Sequence, residues 1–252
     1  MTQQATQLEK EFTPMDQPLA PRAWLAQHPL QPEEQLFAVL GNASDAKPLE
    51  AWRTVSEGMA PESIWAGTAY AEWREVMPYV VAVEPGSPFL DWIANTGSTD
   101  WGWLAVSSSS LQTVAAHLQS LTKVYLPDGQ EVFLRFWDGA QTLPIIQQCG
   151  AEILPVFQRY LINGQSLTTT TGPDTAAKTS PWWTVPALLL EHLAEQSPRT
   201  LIDNLLQWLE EQRPDLYTAF TPTTLQHKVA YFVRSPGISH EALADFLTSE
   251  LS

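Results

Sequence analysis

The hydrophobic pattern of this chain changes at a polar segment, residues 168–181, and the change limits the folds that are open to it. Up to about residue 140, short apolar runs typical of strands alternate with segments of helical periodicity. Beyond residue 181, the apolar residues recur at helical spacing. The segment between, TTTTGPDTAAKTSP, has no periodicity and is the best candidate for a linker. The pattern therefore predicts two lobes of different class.

We predict an α+β or α/β fold, with an N-terminal lobe built on a mixed β-sheet flanked by helices and a smaller all-helical C-terminal lobe. The sheet is expected to be mixed because its last two strands, KVYL and EVFLRFW, are joined by Pro127-Asp128-Gly129 as an antiparallel hairpin. The predicted division is an irregular N-terminal lead-in over residues 1–32, an α/β domain over 33–165, a polar linker over 166–181 and a helical C-terminal lobe over 182–252.

Three positions carry helix-start signals. Ser87 precedes Pro88 in SPFLDWIANTG and is expected to act as an N-cap. Thr221 precedes Pro222 at the start of a stripe of apolar residues, and Ser239 is expected to cap the last helix.

The charge balance bears on the class of partner. Thirteen basic residues stand against twenty-eight acidic ones, for a formal net charge of −15, whereas a nucleic-acid binder needs lysine and arginine to replace counterions at phosphates. We expect no nucleic-acid partner. The single cysteine excludes an internal disulfide, and the longest apolar runs, such as VPALLL, are too short to span a membrane. With no signal-peptide pattern in the first residues, we expect a cytoplasmic protein without a membrane partner.

The sequence lacks the usual signatures of catalysis. It contains no GxSxG, no glycine-rich phosphate loop and no GxGxxG, and in HEALA the residue Ala244 stands where a zinc-binding helix needs its second histidine. Cys149 is expected to be a buried, inert thiol, and His117 a boundary residue rather than a general base. We therefore expect no catalytic, cofactor-binding or metal site and no cofactor.

Arg135 is the most unusual charged residue, because it lies inside the apolar run VFLRFW. If this run is a strand, both of its faces are apolar, and a guanidinium buried there must be paired. Asp138 follows three positions later and can reach Arg135 if the chain bends near Gly139. We predict a structural ion pair between Arg135 and Asp138 rather than a catalytic arginine.

Trp182 and Trp183 follow the linker directly, outside any periodic stripe. Eleven tryptophans are more than a core of this size needs, and large aromatic residues are enriched at binding hot spots. The pair either fills the seam between the lobes or presents a partner-binding site, and the sequence leaves both interpretations open.

Several of these segments together resemble a known family. The runs LFAVLGNA, MPYVVAVEPGSPFLDWI, WGWLAVSSSSLQTVAAHLQSLTKVYLPDGQEVFLRFWDG and LPVF, over about residues 34–160, resemble the family called domain of unknown function 4123. The family's strand usually ends in Arg, two aromatics and Asp, as at 135–138, followed by Pro and Arg. Gly139 and Ala140 depart from that pattern, and Gln119 replaces an arginine that is common after HL.

The resemblance implies a non-enzymatic adaptor, or effector chaperone, of the bacterial type VI secretion system. Such adaptors bind a cognate effector in the cytoplasm and help to place it on the spike protein VgrG. Two alternatives stay open: an enzyme of unrecognised type, which a cleft with several shifted pKa values would favour, and a toxin-neutralising immunity protein.

Overall fold

The computed structural model describes residues 18–55, 60–169, 176–196, 198–233 and 238–251, with the side chains of 194–200 left undescribed. The strands are β1 (Gln35–Gly41), β2 (Glu62–Ser63), β3 (Pro78–Val83), β4 (Gly102–Ser107), β5 (Lys123–Tyr125), β6 (Glu131–Phe133), β7 (Arg159–Ile162) and β8 (Gln165–Thr168). The helices are α1 (Pro21–Gln27), α2 (Pro48–Val55), α3 (Phe89–Asn95), α4 (Leu111–Ser120), α5 (Gly139–Ile153), α6 (Ala187–Gln196), α7 (Pro198–Gln212), α8 (Pro214–Ala219), α9 (Pro222–Phe232) and α10 (His240–Ser249).

The chain forms two compact units, and their boundaries differ from the predicted division at residues 165 and 182. Of the described residues, those within 1–111, 137–139 and 156–171 form the sheet unit. Those within 112–136, 140–155 and 172–252 form the helical unit. Helices α4 and α5 and the β5–β6 hairpin thus belong with the C-terminal helices. The α+β class, with a sheet in the N-terminal part and helices in the C-terminal part, is confirmed.

The sheet unit is built on six strands in the order β2-β3-β1-β4-β7-β8. The pairings between these neighbours are antiparallel, and Ala38 on β1 lies opposite Val81 on β3 and Leu104 on β4. Strand β1 is buried from Leu36 to Gly41. Because both of its faces are covered, it reads as a continuous apolar run without alternation.

One face of this sheet packs on α1, α2 and α3. Aromatic side chains dominate the contact: Trp52 meets Phe89 edge-to-face with ring centroids 5.2 Å apart, and Trp92 stacks on Phe89 at 5.1 Å. The buried residues of this core are Trp24, Leu36, Ala38, Leu40, Leu49, Trp52, Val81, Val83, Phe89, Leu90, Trp101, Leu104, Val106 and Leu161.

The lead-in predicted over residues 1–32 is wrong for the part that the structure describes, and residues 1–17 lie outside the described residues. Residues 21–27 form α1, which begins at Pro21. Its Trp24 is completely buried, and the indole Nε1 donates a hydrogen bond to Ser166 Oγ at 3.0 Å. A helix of only two turns offers too few repeats for its apolar period to be visible in the sequence.

The predicted linker is corrected at its N-terminal end, and residues 170–175 lie outside the described residues. Residues 165–168 form β8, which pairs with β7 from Arg159↔Thr168 to Ile162↔Gln165. The turn between them is Asn163-Gly164, and both residues have positive φ, at 50° and 75°. Asn-Gly is a strong hairpin signal, so this strand was detectable in the sequence.

The β5–β6 hairpin forms with the predicted turn, but as a separate two-stranded sheet. Gly129 has φ +85°, and Asp128 Oδ1 accepts a hydrogen bond from Gln130 N at 3.1 Å. Strand β6 ends at Phe133, which is 38% exposed, so the prediction of a strand through Trp137 covered on both faces is wrong. Among the described residues, β6 pairs only with β5, in a two-stranded sheet, so it is not a central strand with a neighbour on each side.

The helical unit has its own core, formed by α7, α8, α9 and α10. Helix α9 begins at the predicted Thr221-Pro222 step, where Thr221 Oγ1 accepts from Thr224 N at 3.3 Å, and the predicted cap of α10 is in place, because Ser239 Oγ accepts from Ala242 N at 3.1 Å. In the sheet unit, Ser87 Oγ accepts from Phe89 N at 3.2 Å, but α3 begins one residue later than predicted, at Phe89, so Pro88 rather than Ser87 occupies the N-cap position. The buried residues of the helical core are Leu205, Leu209, Leu216, Leu225, Val229, Phe232, Val233, Leu243, Ala244 and Leu247. Within the described ranges, no helix combines the length and apolar character needed to cross a membrane.

Candidate functional site

The two residues of the predicted ion pair occupy different environments. Asp138 is buried, with 5% of its surface exposed, and lies in the sheet unit. Arg135 lies in the helical unit and is only partly buried, less than predicted. The pairing of Arg135 with Asp138 stays a prediction.

Trp137, between these two residues, is a buried anchor of the sheet unit. Its ring meets Trp65 edge-to-face, with centroids 5.4 Å apart and planes at 84°. The ring also lies close to the end of β1, because a Cβ added to Gly41 would be 2.8 Å from Trp137 Cδ1. Trp137 of the RFWD sequence therefore packs against both Gly41 and Trp65.

Trp65 continues this packing toward the surface. Its ring lies 6.2 Å from that of Trp73 at 83°, and 5.9 Å from that of Tyr70 at 63°. Trp65 is buried, with 1% exposed, whereas Trp73 is 48% exposed. We call Trp65, Tyr70, Trp73 and Trp137 the aromatic cluster. It runs from the core of the sheet unit to solvent.

Residues 64–76, which carry three members of the aromatic cluster, form a loop of successive turns between β2 and β3. Asn42 fixes its far end, because its Nδ2 donates to the carbonyls of Arg74 at 2.9 Å and Glu75 at 3.3 Å. Within the loop, backbone hydrogen bonds link Thr68 N to Trp65 O, Ala71 N to Thr68 O, Trp73 N to Tyr70 O and Val76 N to Trp73 O. The loop is thus held by its own backbone, and Trp73 and Val76, 39% exposed, lie at its open end.

Trp183 is packed inside the helical unit. It is 2% exposed, and its Nε1 donates to Glu152 Oε1 at 3.1 Å. Its carbonyl accepts from Tyr125 N, and Tyr125 O accepts from Val185 N, both at 2.8 Å. The residues around Trp183 therefore lie along β5 like a short additional strand, with a parallel bridge between Tyr125 and Thr184.

Trp182 is partly exposed and contacts other residues than Trp183 does. Its Nε1 donates to Ser120 Oγ at 3.1 Å, and Lys178 Nζ lies 4.2 Å from the ring centroid. These contacts account for the position of both tryptophans within the helical unit. Partner binding by Trp182 and Trp183 stays a prediction.

His117 and Cys149, the two residues considered for reactivity in the sequence, differ in burial. His117 is 1% exposed, deeper than the predicted boundary position, and its Nε2 lies 2.9 Å from the carbonyl oxygen of Ile153. Cys149 is partly exposed and thus less buried than predicted; its partial burial, and then the charge of Glu152, raise the pKa of its thiol. A raised pKa keeps the sulfur protonated, which is the opposite of what a nucleophile needs.

His240, at the start of α10, lies close to the β5–β6 turn. Its Nδ1 is 3.6 Å from Asp128 Oδ2, an ion-pair distance longer than a hydrogen bond, and its ring centroid is 4.5 Å from that of Trp208. His240 is buried, with 8% of its surface exposed. Burial lowers the pKa of His240 below its ordinary value, and the Asp128 carboxylate offsets this only in part.

This lowered pKa predicts a pH-dependent stability. As pH falls through the ordinary histidine value of about 6.5, the unfolded chain takes up a proton that the folded His240 does not, so the free energy of unfolding decreases. We expect His240→Gln to lose less stability than the wild type between about pH 7.5 and about pH 5.5 in urea unfolding. Identical losses in the two proteins would contradict the assignment.

The helical unit carries one further surface feature, an open groove of about 330 Å³. Lys228 and Glu250 form an ion pair at this groove, and Tyr231, 66% exposed, stacks on Phe246 with ring centroids 6.2 Å apart. The residues that line it are Thr224, His227, Lys228, Tyr231, Phe246 and Glu250. Across the described part of the chain, no group of three His, Cys, Asp or Glu residues is placed to hold a metal ion.

Among the comparisons with known proteins, one family model matches part of the chain. No curated protein and no solved structure matches it. The segment that does match a family runs from β1 to the end of α5, and so includes elements of both compact units. Residues 36–154 match the model of the family described as Domain of unknown function (DUF4123), which supports assigning this segment to that domain family.

Proposed function

We propose that this protein is a non-enzymatic adaptor, or effector chaperone, of a type VI secretion system. It binds one cognate effector in the cytoplasm and helps to load that effector onto the VgrG spike. The observation that carries the proposal is the match of residues 36–154, which coincides with the segments whose sequence resembles the adaptor family. The longest of the resembling runs, WGWLAVSSSSLQTVAAHLQSLTKVYLPDGQEVFLRFWDG, lies wholly inside this match.

The surface chemistry supports a protein partner. Trp73 and Tyr231 are both large aromatic residues with about half or more of their surface exposed, at 48% and 66%. Exposed aromatic residues supply much of the binding energy at protein interfaces. The net charge of −15 adds long-range attraction for a basic partner, which speeds association at low ionic strength.

Deletion of the gene in its native bacterium tests the proposal. We expect delivery of one effector to fail while the secretion apparatus still assembles and delivers the others. Complementation with the intact gene restores delivery and serves as the control. The tagged protein, recovered from the same cells, should carry that effector with it.

Three outcomes would contradict the adaptor. Every effector could be delivered normally without the gene. The deleted strain could be poisoned by its own toxin, which is the phenotype of a lost immunity protein. The purified protein could turn over a substrate in a way that depends on His117 or Cys149.

A further inference from the structure

The 64–76 loop of the sheet unit has the properties of a preformed binding surface. The ring of Trp73 packs against the rings of Trp65 and Tyr70, at centroid distances of 6.2 Å and 5.2 Å. A side chain that is already fixed loses little conformational entropy on binding. Trp73 nevertheless leaves 48% of its surface to solvent, beside Val76 at 39%.

The acidic side chains around Trp73 and Val76 favour a positively charged partner. Segment 60–77 contains Glu62, Glu72, Glu75 and a single basic residue, Arg74, which gives a net charge of −2. Arg74 lies 4.0 Å from Glu72, with both side chains more than 80% exposed. An ion pair so exposed contributes little, so Glu72 can exchange it for a cation of a partner.

We propose that the 64–76 loop docks a basic segment of a protein partner, with an arginine or lysine side chain lying against Trp73. The indole attracts the cation, Val76 covers the aliphatic stem, and the carboxylates of Glu72 and Glu75 complete the charge match. A cation over an aromatic ring contributes most where the ring is fixed and partly desolvated, as the contacts to Trp65 and Tyr70 make it here. The identity of the partner as a secretion effector rests on the proposed function.

A titration followed by the indole N–H signals of the tryptophans in two-dimensional NMR tests this surface directly. The probe is an acetylated, amidated peptide of alternating arginine and glycine, and the matched control peptide has glutamine in place of arginine. Trp73→Phe assigns the signal. We expect the Trp73 signal to shift saturably with the arginine peptide and to stay in place with the glutamine peptide. Binding should weaken between about 50 mM and about 300 mM NaCl.

Two charge variants separate a local site from general attraction to an acidic protein. Glu72→Gln/Glu75→Gln removes two charges at the loop, and Glu210→Gln/Glu211→Gln removes two exposed charges on α7. We expect the first to raise the dissociation constant about fivefold and the second less than about twofold. Equal effects of the two variants, a Trp73 signal that does not move, or an equal shift with the glutamine peptide would each overturn the proposal.

A separate measurement distinguishes failure of this surface from failure of the proposed adaptor function. Trp73→Ala, whose fold is checked by circular dichroism, is compared with wild type for capture of the effector from cells. Lost capture with a retained fold supports the surface. Capture at the wild-type level overturns the surface and leaves the adaptor proposal intact.

Discussion

Gly102→Ala should destabilise the protein by about 4 kcal/mol or more, the largest effect that we expect from a single methyl group. Gly102 begins β4 with φ +142°, and a Cβ built there would lie 1.9 Å from the carbonyl oxygen of Val39 on the neighbouring strand. The obstacle is backbone of the central strand β1, which cannot move without breaking the pairing of Leu40 with Gly102. Urea unfolding measures the loss, and a protein that no longer folds meets the expectation as well.

Two other glycines provide the controls. Gly67 also has positive φ, at +74°, but a Cβ there meets no atom within 4 Å, so Gly67→Ala should cost only about 1 kcal/mol from backbone strain. Gly97 has neither restriction, and Gly97→Ala should be close to neutral, within about 0.5 kcal/mol. If Gly102→Ala were as mild as Gly67→Ala, the close approach of β4 to β1 would be incorrect.

Trp24→Ala should lower the free energy of unfolding by about 3–5 kcal/mol. Trp24 is the residue through which α1 enters the core of the sheet unit, with none of its surface exposed. Its removal leaves a cavity beside α1 and takes away the indole N–H that donates to Ser166 Oγ. Urea unfolding at neutral pH measures the change.

A conservative and an exposed substitution bracket this result. Trp24→Phe keeps most of the apolar volume but no N–H donor, so its cost should lie between those of wild type and Trp24→Ala. Tyr231→Ala removes an aromatic residue that is 66% exposed and should change stability by no more than about 0.5 kcal/mol. An effect of Trp24→Ala as small as that of Tyr231→Ala would mean that α1 does not hold to the sheet.

The elements that could be predicted from the sequence are those whose burial repeats along the chain. Strand β4 is buried along its whole length, β1 after its first residue, and β3 except at Tyr79 and Ala82, so each is a largely apolar run. The starts of α3 and α10 were visible because a single hydroxyl, of Ser87 or Ser239, satisfies backbone N–H groups of the helix that follows it.

The elements that escaped prediction depend on distant partners. Helix α1 is short and is fixed by Trp24, whose hydrogen-bond partner Ser166 is far away in sequence. The end of β6 at Phe133 was also hidden, because VFLRFW stays apolar after the strand ends. Leu134, Phe136 and Trp137 are buried although they lie in an irregular segment with a turn, and composition alone does not separate such a segment from a strand.

The candidate site could be predicted only as a surplus of tryptophan. Arg135 was conspicuous as a charge among apolar residues, and Trp182-Trp183 as neighbours in sequence. Trp65, Trp73 and Trp137 carry no such local signal, since the fold alone brings Trp137 onto Trp65. A half-exposed tryptophan and a buried one have the same letter, and only the packing around each separates a binding surface from a core.

The two compact units alternate along the polypeptide. The chain passes from the sheet unit to the helical unit after residue 111, returns for 137–139, and returns again for 156–171. Neither unit can therefore be obtained by cutting the gene at one point, and a truncation after residue 165 would strip α4, α5 and the hairpin of the C-terminal helices that complete their unit. During synthesis on the ribosome, the helical unit stays incomplete until its last helix emerges. In recombination between genes, no single crossover therefore exchanges one whole unit and leaves the other intact.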